Sequence, residues 1–508
     1  MVTKLLTPYI PYDATETVQS YAARLSLFHT GQGTSRLLED CGVRPSRFAA
    51  GHHDELNRFA AAVGEDIEVL HAGTVRTLSR HNSFRDEDFS RNVLSAHVRQ
   101  FCPHCLREDG PPAEWRHRII WGFLSVPFCL RHGASLVEVA QKKFGDIRDA
   151  VEYVGGLDRA EASTSAAEGG RYAAWLHARL SSPYHSGWLG EQSIEQVLNA
   201  SEMLGVVLEH GQGARLGHLS RQERSSALDG FRIYEQGADA VYAALDEIRS
   251  AASATAVHAG PLAMYGTLYD WLDRRSQLIS PGPVRDILRE HILNHDAYAP
   301  GERLLGKPVA ERRLHSVVSL AVALKVDRRR TSRLLQKLGL VPEGATDGES
   351  GRLVFPVREV EQLISDYETA IPLAEVSAYI GCTQNQALSL YRVGVLSPLI
   401  PADAPGAVRR VVFARRVLDD LLSRIRQLPV LEDAQHRDVL PIAEACQRHG
   451  GRAEDLTQAV LAGEIKAFRL PCDARLHTIR VNVSGLAAAK SLHRQVVGST
   501  LAPKPLCR

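Results

Sequence analysis

Two short pairs of ligand-type residues constrain this chain more than anything else in it. Cys102-Pro-His-Cys105 is followed, after 23 residues, by Cys129-Leu-Arg-His132. Two such turns bring three sulfurs and an imidazole to one point, and zinc takes four ligands of this kind tetrahedrally in structural sites. A C-x2-C turn aims both thiolates the same way, because the backbone folds tightly around the ion. The four ligands Cys102, Cys105, Cys129 and His132 leave no open position, so one structural zinc ion is expected. Phe101, Trp121 and Phe128 are expected to form the small core that it staples. His104 is a rival ligand, poorly placed inside the first pair, and His117 is expected on a helix surface. The other five of the eight cysteines (Cys41, Cys382, Cys446, Cys472, Cys507) are scattered. That is no disulfide framework, and it suits a cytoplasmic chain with one metal site.

At 508 residues the chain is too long for one core, so several domains are expected. A hydrophobic fraction of 44% excludes wholesale disorder. No run of about 18 apolar residues occurs, so no membrane span is expected. The first 20 residues lack the apolar core of a signal peptide. Helical spacing of Val18, Tyr21, Ala22, Leu25 and Phe28 predicts a first helix, capped by Thr15 or Thr17. Residues 161–170 read as a linker. Residues 230–250 read as an amphipathic helix with Ala240, Val241, Ala244, Leu245 and Ile248 inward.

The last 200 residues contain a degenerate threefold repeat. Residues 323–326 align with 379–382 at an offset of 56, and Pro372 with Pro441 at 69. Gly339, Gly394 and Gly463 are also in register. Each repeat reads as helix, tight turn, second helix, glycine exit, short β-like wing and closing helix, the grammar of a winged helix-turn-helix.

The segments PYDATETVQSYAARL (11–25), FCPHCLREDG (101–110) and WRHRIIWGFLSVPFCLRHGASLVE (115–138) resemble the TniQ/TnsD family of transposon target-selection proteins. Arg118 and Trp121 fill that family's R-x-x-W pattern, and the resemblance extends over roughly residues 8–340. It implies a non-enzymatic adaptor that binds double-stranded DNA at an attachment site. It also implies recruitment of an AAA+ ATPase transposition regulator and, through it, of the transposase. An adaptor docked on an RNA-guided complex is the alternative within the class. A stand-alone transcription regulator is the alternative outside it.

In the first repeat, Val317, Leu320, Ala321, Leu324, Val326 and Leu334 fill the core positions of a helix-turn-helix, with Lys325 where glycine is commoner in the turn. From Asp327 the second helix offers Arg328, Arg329, Arg330, Ser332, Arg333 and Lys337 to DNA; arginine reads guanine bidentately in the major groove. The second repeat offers Thr383, Gln384, Asn385, Gln386, Ser389 and Arg392, with Arg409, Arg410, Arg415 and Arg416 assigned to its wing. The third offers Arg452, Thr457 and Gln458 beside Glu454 and Asp455, so protein contact is as natural there as DNA contact. Residues 302–430 carry 19 Lys/Arg against 14 Asp/Glu, a charge of +5, and the rest of the chain carries −4. The overall +1 is therefore a sum of unlike regions.

No enzymatic motif competes. Gly301-x4-Gly306-Lys307 imitates a phosphate-binding loop, but Pro308 follows, with neither hydroxyl nor backbone N–H. The C-P-H-C segment lacks a deaminase's H-x-E partner. The expected fold is mainly α. It comprises a zinc-finger-containing TniQ-type domain (1–160), a helical second half (171–300), two winged helix-turn-helix domains (302–368, 369–430) and a third such unit (431–508). The protein is expected in the cytoplasm, nucleoid-associated when on DNA.

Overall fold

The computed structural model describes residues 6–482 apart from 127, 140–143, 160–169, 183–185, 221–222, 225–226, 253–259, 275–278, 343, 401–410 and 433–438. The expected linker at 161–169, Arg409, Arg410 and the closing helix of the third repeat lie outside the described residues. The chain divides into two compact units, residues 1–294 with 301–309, and residues 295–300 with 310–508. No helix among the described residues is long and apolar enough to cross a membrane.

The first unit opens with helix α1, Val18–Thr30, whose cap is Thr17: its side chain accepts from the Ser20 N–H. Val18, Tyr21, Ala22 and Leu25 are buried against Leu56 and Phe59 of α2, His53–Val63. Phe28, expected on the same face, is exposed in the last turn of the helix. Arg24 forms a buried ion pair with Glu16 through two hydrogen bonds. A buried charge without such a partner is strongly destabilising. Next come β1 (Gln100–Phe101), α3 (Pro103–Asp109), β2 (Phe128–Cys129), β3 (Ala134–Ser135) and β4 (Val137–Glu138). Strand β1 pairs with β4 and β2 with β3, both antiparallel.

The rest of this unit is helical. Helix α4, Ile194–His210, crosses the turn at Leu228–Gly230 backbone to backbone. A Cβ on Gly205 would stand 1.7 Å from the Ala227 carbonyl oxygen, so only glycine fits. Helix α5, Ala238–Ala251, buries Val241, Ala244, Leu245 and Ile248 of its expected inward face, while Ala240 is only half-buried. Strands β5 (Arg303–Leu304) and β6 (Lys307–Pro308) form a hairpin through Leu305 and Gly306, both at positive φ. The glycine-lysine segment is thus a tight β-turn with no helix behind it. The Arg289 guanidinium donates to the carbonyls of Leu304, Lys307 and Pro308.

In the second unit each repeat begins with a strand, turns through two helices and returns as a strand beside the first. The first repeat is β7 (Leu314–Ser316), α6 (Val317–Ala323), α7 (Arg328–Lys337), β8 (Val354–Pro356) and closing helix α8 (Val357–Glu368). The second is β9 (Ile371–Pro372), α9 (Leu373–Ile380), α10 (Gln384–Arg392), β10 (Val412–Phe413) and α11 (Arg415–Gln427). The third is β11 (Val439–Pro441), α12 (Ile442–His449), α13 (Ala453–Leu461), β12 (Ala467–Arg469) and β13 (Ile479–Asn482). Entry and return strands pair antiparallel in all three, His315 opposite Phe355 and Ile371 opposite Phe413.

The aligned turn residues Lys325, Gly381 and Gly450 all have positive φ, at 54°, 70° and 66°. The aligned exits Gly339, Gly394 and Gly463 do as well, at 72°, 80° and 76°. Glycine reaches this region at no steric cost, which is why five of the six positions carry it. The first repeat has its own core of Val317, Leu320, Leu335, Val341, Phe355 and Val360. The second and third share one core, in which Val376, Leu390 and Leu418 pack together with Val460, Ile479 and Val481.

Candidate metal centre and nucleic-acid interface

The four ligand-type residues meet in the first unit. Cys102 ends the approach from β1, and Pro103 starts α3 with its φ already helical, so Cys105 lies one turn on. Cys129 ends β2, and Gly133 at φ 59° lets the chain turn back after His132. His132 Nδ1 lies 3.6 Å from Cys102 Sγ, 3.4 Å from Cys105 Sγ and 3.5 Å from Cys129 Sγ. Cys105 and Cys129 sulfurs are 3.6 Å apart. Bonds of about 2.3 Å to sulfur and 2.05 Å to nitrogen in a tetrahedron require edges of about 3.8 and 3.6 Å. The donor set therefore fits an ion of that class. The three sulfurs are buried and His132 is half-buried, so a buried Cys3His group that could hold a metal ion stands here.

Around it pack Phe101, Trp121, Leu106, Leu136 and Trp115, each buried. Burying an aromatic of this size contributes roughly 2–3 kcal/mol. Phe128 is also buried. His132 Nε2 lies 3.0 Å from Glu108 Oε1 on α3. That contact holds the Glu108 carboxyl below the usual carboxylate range. It also fixes which imidazole nitrogen faces the sulfurs. Hydrogen bonds from Cys102 and Cys105 pull the Cys129 thiol down, while those from Cys102 and Cys129 push the Cys105 thiol up. Arg118 closes the other side, bidentate to Asp109 at 2.6 and 2.7 Å and 5.0 Å above the Trp121 ring.

His104 stays outside the ligand group, its ring 5.4 Å from that of His132. His117 corrects its expected place. It is buried in an irregular segment rather than standing on a helix surface, edge-on to Trp121, and burial, then the charge of Arg118, pushes its pKa down to about 3.

In the first repeat Asp327 caps α7, its Oδ1 accepting from the N–H groups of Arg329 and Arg330. Arg328, Arg329, Arg330 and Arg333 are exposed, and Lys337 is half-buried. Ser332 is buried. The segment after α7 covers that flank, where Gln336 donates to the Ala345 carbonyl. The basic surface of α7 is therefore displaced toward Arg329, Arg330 and Arg333.

In the second repeat Thr383 and Gln386 cap α10 reciprocally, so both side chains serve their own backbone. Gln384 accepts from Ser377 at 2.8 Å. Asn385, Gln386 and Ser389 line a cleft of about 320 Å³ together with Glu454 and Thr457 of α13. Arg392 is exposed. Arg415 and Arg416 correct their assignment to the wing: they form the first turn of α11. Arg415 Nε donates to Tyr379 at 3.0 Å, and Arg416 Nε to Asp366 of α8 at 2.8 Å. Both side chains are exposed, and each guanidinium has a partner within the second unit.

The third repeat presses on the second. Arg475 and His477 lie over the Gly381 turn, where a Cβ would meet Arg475 Cβ at 2.7 Å and His477 Nδ1 at 2.9 Å. Thr457 is buried, its hydroxyl donating to the Ala453 carbonyl.

A buried Cys3His group that could hold a metal ion, set among short strand pairs beside a helical body, marks a candidate metal-binding domain on a mainly α chain. The TniQ family model matches residues 9–136, which hold α1, α2 and all four ligand-type residues. Over that segment the chain is similar to the TniQ family, and a TniQ domain points generally to a transposition-associated target-site function. The match ends well short of residue 340, to which the sequence resemblance was expected to run. None of the curated proteins compared with the chain matches it.

Proposed function

We propose that the chain is a DNA-binding target-site selector of a transposon. In this reading the three C-terminal repeats are winged helix-turn-helix units that recognise an attachment site in double-stranded DNA. The TniQ-containing half recruits the AAA+ regulator, which in turn brings the transposase. The observation that carries the reading is the union in one chain of a TniQ domain with a capped, exposed, arginine-rich second helix, α7. A helix of this kind fits the major groove, where a bidentate Arg–guanine contact is worth about 1–3 kcal/mol of discrimination. The first repeat leads, because α10 shares a cleft with α13 and the second repeat's turn is covered.

Cys102, Cys105, Cys129 and His132 would hold one zinc ion. When bound, it supplies a four-point cross-link to a segment too small to hold itself by apolar burial. The residues' own work is positional: they fix α3 and β2, and with them the Arg118–Asp109 pair against α1. The chain performs no bond chemistry in this account.

The test is an insertion assay in cells carrying the element's ATPase and transposase. With this chain, insertions concentrate at one attachment site. Without it, or with Arg329→Ala and Arg333→Ala together, they disperse or stop. Unchanged insertion at that site without the chain would refute the proposal.

A further inference from the structure

Three repeats of one design allow each position to be compared inside the same molecule. At the turn between the paired helices the second and third repeats place Gly381 and Gly450, and the first places Lys325 at φ 54°. An L-residue with a Cβ is strained there, and glycine is not. The sequence therefore tolerates a strained lysine where the two sister repeats carry glycine. A strained residue of this kind is a reason to look for function.

The surroundings say what the lysine meets. Its side chain is 83% exposed, and its nearest counter-charge is Glu368 Oε1 at 3.7 Å, itself half exposed. A contact of that kind is weak in water. Lys325 opens onto a groove of about 490 Å³ between α7 and α8, which Arg330, Arg333, Lys337 and Tyr367 also line. Lys325, Arg330, Arg333 and Lys337 thus share the groove lining with one acidic residue, Asp327, which is engaged as the cap of α7. The corresponding turn in the second repeat is closed over by Arg475 and His477, so it has no comparable opening.

We infer that this groove binds a phosphate of the DNA backbone, with Lys325 as the ammonium that reaches it. The inference rests on the DNA reading of the first repeat and adds a site to it. Arg330, Arg333 and Lys337 flank the same phosphate track, while Arg329 lies outside the groove and is left to face the bases. Lysine suits the task as a point charge on a flexible stem, and displacing Glu368 costs little.

The experiment uses the full chain, a mixed-sequence 30-base-pair duplex and fluorescence anisotropy over a salt series. Lys325→Gly relieves the backbone strain and removes the charge, so stability and affinity move in opposite directions. The melting temperature rises by about 2 °C. Affinity at low salt falls on the order of five-fold, and the log–log salt slope flattens by about 1. Lys325→Gln, which keeps the strained backbone and drops the charge, loses the same affinity; Lys325→Arg retains it. Wild-type binding by Lys325→Gln, while Arg329→Ala with Arg333→Ala binds weakly, overturns the phosphate site and leaves the DNA reading standing. Wild-type binding by every variant overturns both.

Discussion

Arg416 Nε donates to both carboxylate oxygens of Asp366, at 2.8 and 3.0 Å, and so ties the start of α11 to the closing helix of the first repeat. Asp366 is buried and also accepts from Gln362 at 2.8 Å. An arginine used this way joins two repeats, while more than half of its side chain stays exposed. Arg416→Ala should lower the stability of the second unit by about 1 kcal/mol, since it strips a buried carboxylate of its main donor. Affinity of the folded protein for duplex DNA should stay unchanged. Urea unfolding and a duplex titration measure the two. Lost affinity at unchanged stability would return Arg416 to the DNA surface.

The contact between His132 and Glu108 predicts a metal phenotype without loss of a ligand. Glu108→Ala should weaken zinc binding by roughly 10–100-fold, because the imidazole loses the partner that orients it. Competition with a chromophoric chelator reads this. Cys129→Ser should abolish binding in the same assay. Equal affinity of Glu108→Ala and wild type would leave Glu108 as a bystander.

Glu55 accepts from the Arg44 backbone N–H at 3.0 Å, from Arg44 Nε at 2.7 Å and from Arg58 Nη1 at 2.8 Å. The backbone hydrogen bond from Arg44, then the guanidiniums, hold its pKa at about 2. In the unfolded chain a glutamate titrates near ~4.3, so as pH falls the unfolded state takes the proton first. The stabilisation is complete above that value and disappears as pH falls toward 2. The urea midpoints of wild type and Glu55→Gln should differ at pH 7, draw together as pH falls below about 4.3 and converge toward pH 2. A gap that does not change with pH would contradict this.

Two glycines separate backbone strain from crowding. Gly394, at φ 80°, has open space where a Cβ would stand, whereas Gly381 has both a φ of 70° and Arg475 at 2.7 Å. Gly394→Ala should cost about 1 kcal/mol. Gly381→Ala should cost about 2–3 kcal/mol, since the third repeat must also shift. Thermal unfolding ranks them. Equal losses would show that Arg475 yields freely.

The Cys3His group was legible in the sequence because the spacing of Cys102, Cys105, Cys129 and His132 is that of paired ligand turns. The repeats were legible for a related reason, since left-handed turns select glycine at Gly381, Gly394, Gly450 and Gly463. Long-range packing was not. Ser332 has the polarity of a DNA-facing residue and is buried nonetheless. Arg415 and Arg416 look like a basic wing, but their roles depend on Tyr379 and Asp366, 36 and 50 residues away. His117 is surrounded in sequence by arginines and is buried all the same. The shared core of the second and third repeats left no mark, because each repeat alone shows an ordinary apolar pattern.

The central claim is that this chain finds one DNA site through its C-terminal repeats. A genome-wide map of the bound full-length chain tests it most directly, followed by footprinting of the strongest site. The account predicts one dominant peak, a protected stretch longer than a single half-site, and loss of the peak with Arg329→Ala and Arg333→Ala. Uniform occupancy along the genome, or a peak that survives those two substitutions, would contradict it.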